Sequence, residues 1–111
     1  MLDSKIYANV RLKPEYLNAI VTTFKDSFSA TDKLWIFGSR VDLSARGGDI
    51  DLYVETTETD IELITQRRTK FKGQLWKKIG EQKIDVIIKL TLDQFELPIY
   101  KEAIKQGVQL L

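Results

Sequence analysis

Residues 37–54 read FGSRVDLSARGGDIDLYV, and this stretch carries the decision about the fold. Upstream of it, Leu34, Trp35, Ile36 and Phe37 form a short aromatic and branched run closed by Gly38, the pattern of a buried strand. Residues 39–48 are polar and end in Gly47-Gly48, so they read as a loop with room for one helical turn. From Asp49 to Glu55 the chain alternates, with Ile50, Leu52 and Val54 on one face and Asp49, Asp51 and Tyr53 on the other. That alternation predicts a second strand, and it stands Asp49 and Asp51 on the same face about 6 to 7 Å apart.

Working outward, Leu17, Ile20, Val21, Phe24 and Phe28 recur at helical spacing behind Pro14, which suits a first helical turn, and predict a helix from Pro14 to about Phe28. Ile61, Ile64, Phe71, Leu75 and Ile79 predict a longer helix ending at Gly80, with Gly73 expected to bend or split it. Lys83 to Leu90 alternates again and predicts a third strand carrying Asp85, and Pro98 to Gln106 predicts a last short helix. The first twelve residues are expected to be an N-terminal arm or edge strand, because Ile6, Ala8, Val10 and Leu12 alternate with polar neighbours. The expected fold is α/β (α+β), a small mixed β-sheet flanked by helices in a single domain spanning residues 1–111. A helical crossover makes the second and third strands parallel, and an antiparallel pairing of the first two brings the Gly38-Ser39 turn beside the carboxylates.

The composition narrows the chemistry sharply. The chain has no His and no Cys, which excludes disulfides, thiol nucleophiles, Cys/His zinc sites and any Ser-His-Asp arrangement. Acid, base and metal chemistry must then come mainly from carboxylates, whose oxygens suit a hard ion such as Mg2+. No stretch approaches the roughly 18 to 20 consecutive apolar residues of a membrane span, and the N-terminus lacks a secretory h-region, so no membrane association is expected and the default location is the cytoplasm. Charge is unevenly spread: from Ile61 to Ile84, seven basic residues face only Glu62 and Glu81. This stretch is either the solvated face of a helix or a surface that meets an anionic nucleotide or an acidic partner.

Asp49 and Asp51 repel each other, and Asp85 on the neighbouring strand adds to the repulsion, which a bound divalent cation would reverse. The plainer reading of Asp-X-Asp is the polar side of a half-exposed strand. Against it stands the company these residues keep, since Gly and Asp are poor strand formers yet GGDIDL opens one. Gly38-Ser39 reads either as a strand-ending turn with Ser39 as a cap, or as a turn where backbone and hydroxyl approach a phosphate. Arg40 and Arg46 read either as ordinary surface residues or as nearby positive charge.

Taken together, FGSRVDLSARGGDIDLYV followed some thirty residues later by KIDVII resembles the nucleotidyltransferase superfamily that includes DNA polymerase beta. Within it the chain looks like a minimal nucleotidyltransferase, the antitoxin-type protein that pairs with a HEPN-domain toxin. The resemblance runs from about Leu12 to Leu111 and rests on Gly-Ser, nine intervening residues, Asp-X-Asp and a third carboxylate on a later strand. It implies that Gly38, Ser39 and Arg40 hold the triphosphate of ATP, that Asp49, Asp51 and Asp85 ligate Mg2+, and that these three aspartates are the catalytic residues. Two ions roughly 3.5 to 4 Å apart would polarise the α-phosphate and shield the leaving pyrophosphate. Gly48 departs from the family pattern, where a small polar residue commonly precedes the first Asp. The expected reaction is transfer of AMP from ATP to a hydroxyl, a tyrosine of the HEPN partner, in a hetero-oligomer, since no second domain is expected to supply an acceptor pocket. The alternatives are a non-catalytic module that neutralises its partner by covering it, or transfer to RNA or a small molecule, with nucleic acid the less expected partner.

Overall fold

The aromatic run from Lys33 to Phe37 forms strand β1, and all of it except Lys33 is buried. The computed structural model describes residues 2–92 and 95–111. Its elements in chain order are α1 (Ser4–Asn9), α2 (Pro14–Ser27), β1 (Lys33–Phe37), a short 3-10 turn (Gly38–Val41), β2 (Ile50–Thr56), α3 (Ile61–Ile79), β3 (Ile84–Leu90), α4 (Pro98–Gln106) and β4 (Val108–Gln109). The strands make one mixed sheet in the order β3-β2-β1-β4, with β2 parallel to β3 and antiparallel to β1. The expected α/β class and both expected pairings are therefore found. The parallel pair follows from the α3 crossover, which returns the chain to the same end of the sheet.

The strand alternation sorts the two faces. Leu34, Ile36, Ile50, Leu52, Val54, Ile84 and Val86 pack with Leu17, Ile20 and Phe24 of α2 and Phe71 and Leu75 of α3 into the larger core. Phe24, Phe28 and Phe71 interlock there as one stacked pair and two edge-on pairs, with ring centroids 4.6 to 5.9 Å apart. On the opposite face Trp35, Phe37 and Tyr53 form a second, smaller cluster covered by Ala103, Ile99 and Tyr100 of α4. Because α4 covers only part of that face, the polar ends of β2 and β3 beside it stay half-open.

Two expectations need correction. Residues 1–12 do not form an edge strand: Ser4–Asn9 is helical, capped by the Asp3 side chain, which accepts from Lys5 N, and Met1 lies outside the described residues. The alternation that suggested a strand also places Leu2, Ile6 and Val10 at intervals of four, one face of a helix, and these residues pack on the larger core. The edge of β1 that a terminal strand would need is taken by β4, which runs antiparallel to it through Trp35 and Ile36. Gly73 neither bends nor splits α3, which is continuous from Ile61 to Ile79 with Gly73 exposed on its surface. Among the described residues no helix is long and apolar enough to cross a membrane.

Candidate functional site

Strand register brings two of the three aspartates side by side. Asp51 is the partner of Asp85 across the parallel β2-β3 pair and of Phe37 across the antiparallel β1-β2 pair. Neighbouring strands lie about 4.8 Å apart, so the two carboxylates rise from one edge of the sheet as close neighbours. Burial pushes the Asp51 carboxyl above its ordinary range, and the charges of Asp85 and Asp49 push it further. These two carboxylates therefore repel in the folded chain. Asp49 sits just before β2 and is turned toward Lys83, its oxygen 3.4 Å from the ammonium. That contact and the neighbouring aspartates hold Lys83 above its ordinary value.

The Gly38-Ser39 turn is built around these carboxylates. Gly38 has a φ of +74°, a region that side chains rarely adopt, and a Cβ there would overlap Asp51 Oδ2 and lie 3.3 Å from its Cγ. Glycine at 38 is what lets Asp51 fold back against the end of β1. Gly48, at φ +96°, does the same for Ser39, whose hydroxyl occupies the space a Cβ would need and donates to the Asp49 carbonyl at 3.4 Å. Glycine at 48 thus has a steric reason in this chain.

Arginine 11, which the sequence did not single out, ties the 38–48 loop together. Its Nε donates to the Asp42 carbonyl at 3.2 Å, and its Nη2 to the carbonyls of Ser39 at 3.1 Å and Gly47 at 2.6 Å. Arg40 returns the favour, donating to the carbonyls of Arg11 at 3.1 Å and Gly48 at 3.0 Å. The Arg40 guanidinium, expected beside a phosphate, is committed to the loop backbone. Tyr53, on the same face as Asp51, is fully buried and donates to Glu55 Oε2 at 2.8 Å, and burial pushes its hydroxyl far above the usual tyrosine range, so it holds its proton.

A cavity of about 710 Å3 opens over the sheet edge, with Asp51 and Asp85 on one wall and Phe37, Ile87 and Ile99 as its apolar floor. Its other wall comes from α3, through Arg68, Thr69 and Lys72. Gly38, Ser39, Arg40 and Asp49 are not part of the lining. As a test for Mg2+, the donor chemistry fits: all the candidate ligands are carboxylates, and the repulsion at Asp51 is what a hard cation relieves. Asp51 and Asp85, neighbours in register, are the residues that would hold such an ion, whereas Asp49 is in contact with Lys83 at the surface, a pair of modest strength. Among the described residues no three carboxylates are gathered into a ready metal centre.

No family model matches the chain, and no curated protein matches it. The fold is nevertheless shared with a solved structure, described as the crystal structure of the toxin-antitoxin MntA-HpeT in a mutant form with two Asp-to-Glu changes. That likeness has a TM-score of 0.61 at 20% identity and covers 86% of this chain and 71% of the other, so the chain has the fold of a protein from a toxin-antitoxin assembly.

Proposed function

We propose that the chain is a Mg2+-dependent nucleotidyltransferase that moves AMP from ATP to a hydroxyl, a tyrosine, of a HEPN-domain toxin and so acts as its antitoxin. The observation that carries this reading is the Asp51-Asp85 pair, held in register with Gly38 kept bare to admit the Asp51 carboxylate. Two repelling carboxylates on the wall of an open cavity cost the fold stability and serve it only when a cation is bound. The likeness to a toxin-antitoxin structure supports a toxin partner in general, and the two Asp-to-Glu changes named for that structure fall two positions apart, the spacing of Asp49 and Asp51 here.

In this reading Asp51 and Asp85 hold the cation, and Asp49 joins them on release from Lys83. Mg2+ bound there supplies polarisation of the α-phosphate and a lowered pKa for the attacking hydroxyl. The Gly38-Ser39 turn fixes Asp51 in place, and Asp85 receives the proton of the acceptor hydroxyl. The acceptor oxygen bonds to the α-phosphorus as the bond to the pyrophosphate oxygen breaks, and pyrophosphate leaves. Incubation of the chain with a HEPN-domain partner, Mg2+ and ATP labelled in either the α or the γ phosphate tests this directly. Label from the α position should enter the partner and label from the γ position should not; γ-label in the partner, or no label from either, contradicts the reading.

A second reading, neutralisation by binding alone, is favoured by one observation: Asp49 is paired with Lys83 rather than gathered with the other two carboxylates. An Asp51→Asn protein that neutralises the partner as fully as the unsubstituted chain would select it.

A further inference from the structure

We propose that Arg68 and Lys72 of α3 are a polyphosphate-binding wall of this site, facing the nucleotide from the helix side of the cavity. The inference rests on the nucleotide-transfer reading and adds residues to it. Arg68 and Lys72 are four apart, one turn of α3, so they project side by side from one face of the helix. Both line the cavity that holds Asp51 and Asp85.

Arg67 is near Glu58, Lys83 pairs with Asp49, and Lys89 pairs with Glu96. Among the described residues neither the Arg68 nor the Lys72 side chain has an ion-pair or hydrogen-bond partner. Lys70, Lys77 and Lys78 of the same helix also lack an ion-pair partner among those residues, and lining the aspartate cavity is what sets Arg68 and Lys72 apart from them. Two like charges one turn apart destabilise a helix unless something anionic lies between them. The pair faces a cavity that already contains two carboxylates, so a simple anion would be repelled by the far wall. A triphosphate carried with a divalent cation satisfies both walls, the cation at Asp51 and Asp85 and the phosphate oxygens at the guanidinium and ammonium. Thr69, between the two cations in sequence and on the same lining, adds a hydroxyl donor. The cavity volume of about 710 Å3 lies within the range of ligand-sized sites, roughly 300 to 1,000 Å3.

The basic stretch noted in the sequence is thereby divided. Arg68 and Lys72 belong to the cavity, while Lys77 and Lys78 in the last turn of α3 stand outside its lining. The test is calorimetric titration of the full chain with Mg·ATP, Mg·tripolyphosphate and adenosine, on the unsubstituted protein, Arg68→Gln/Lys72→Gln, the charge-preserving swap Arg68→Lys/Lys72→Arg, and Lys77→Gln/Lys78→Gln. The cavity double variant should lose roughly tenfold or more in affinity for Mg·ATP and Mg·tripolyphosphate, as expected for removing two charge-assisted contacts. The swap should keep most of that affinity, the Lys77/Lys78 variant should bind within about twofold of the unsubstituted chain, and unliganded melting temperatures should show all four proteins folded. A cavity double variant that binds Mg·ATP as tightly as the unsubstituted chain, or loses no more than the Lys77/Lys78 variant, overturns the assignment and leaves the transfer reading standing. A folded unsubstituted chain that binds neither Mg·ATP nor Mg·tripolyphosphate overturns the transfer reading together with it.

Discussion

Substituting Gly38 by alanine tests the packing that places the central carboxylate. The backbone at 38 has φ +74°, where a side chain costs about 1 to 2 kcal/mol. The new methyl would also overlap Asp51 Oδ2, so the Asp51 side chain must leave its position, which adds about 0.5 to 1.5 kcal/mol if it settles off its preferred rotamer. The sum, about 1.5 to 3.5 kcal/mol, lowers the melting temperature by on the order of 10 °C in a domain of this size. Pairing it with Asp51→Ala separates the two contributions: the double variant keeps the backbone cost and loses the overlap, so the two changes should be coupled in a double-mutant cycle. Gly73→Ala is the control, since Gly73 is a helical glycine with nothing within 4 Å of a Cβ, and it should stabilise by about 0.5 to 1 kcal/mol. Thermal melts followed by Trp35 and Trp76 fluorescence, each with and without Mg·ATP, read both effects. An unchanged melting temperature and unchanged Mg·ATP stabilisation in Gly38→Ala would refute the argument.

Asp51→Asn should raise stability at neutral pH. Because burial and the neighbouring aspartates raise the Asp51 pKa in the folded chain, its contribution to stability is present at low pH and is lost as pH rises through the raised value. The advantage of the Asn variant should therefore shrink as pH falls below the ordinary carboxylate range, read from denaturant midpoints across pH, and a gap that widens on acidification would contradict it. Arg11→Ala removes three hydrogen bonds to the carbonyls of Ser39, Asp42 and Gly47, and should cost about 1 to 3 kcal/mol and speed amide exchange selectively in residues 38–48, with unaltered exchange counting against its role as the loop tie.

The elements whose local pattern agreed with their packing were legible in the sequence. The GGDIDLYV alternation became β2 because one face meets the larger core and the other the α4 cluster, and the long crossover forced β2 and β3 to run parallel. That in turn made the nearness of Asp51 and Asp85 readable from register alone. α1 was not legible, since Leu2, Ile6 and Val10 satisfy a two-residue and a four-residue period together over so short a span. β4, two residues long, is too short to have a period, and only its pairing with Trp35 and Ile36 defines it. At the site, the missing information was long-range: Arg11 reaches carbonyls 28 to 36 residues away, and nothing near Arg68 and Lys72 in sequence shows that their helix face turns onto the aspartate cavity.

The proposed transfer of a nucleotide from the Asp51-Asp85 cavity to a partner protein leaves a mass change on that partner. Its most direct measurement is the intact mass of a HEPN-domain partner after incubation with Mg2+, ATP and either the unsubstituted chain or Asp51→Asn, with partner activity assayed on the same samples. The account predicts one or more added AMP groups and loss of partner activity with the unsubstituted chain, and neither with Asp51→Asn even where the two proteins still associate. A partner of unchanged mass that is silenced equally by both proteins would contradict it.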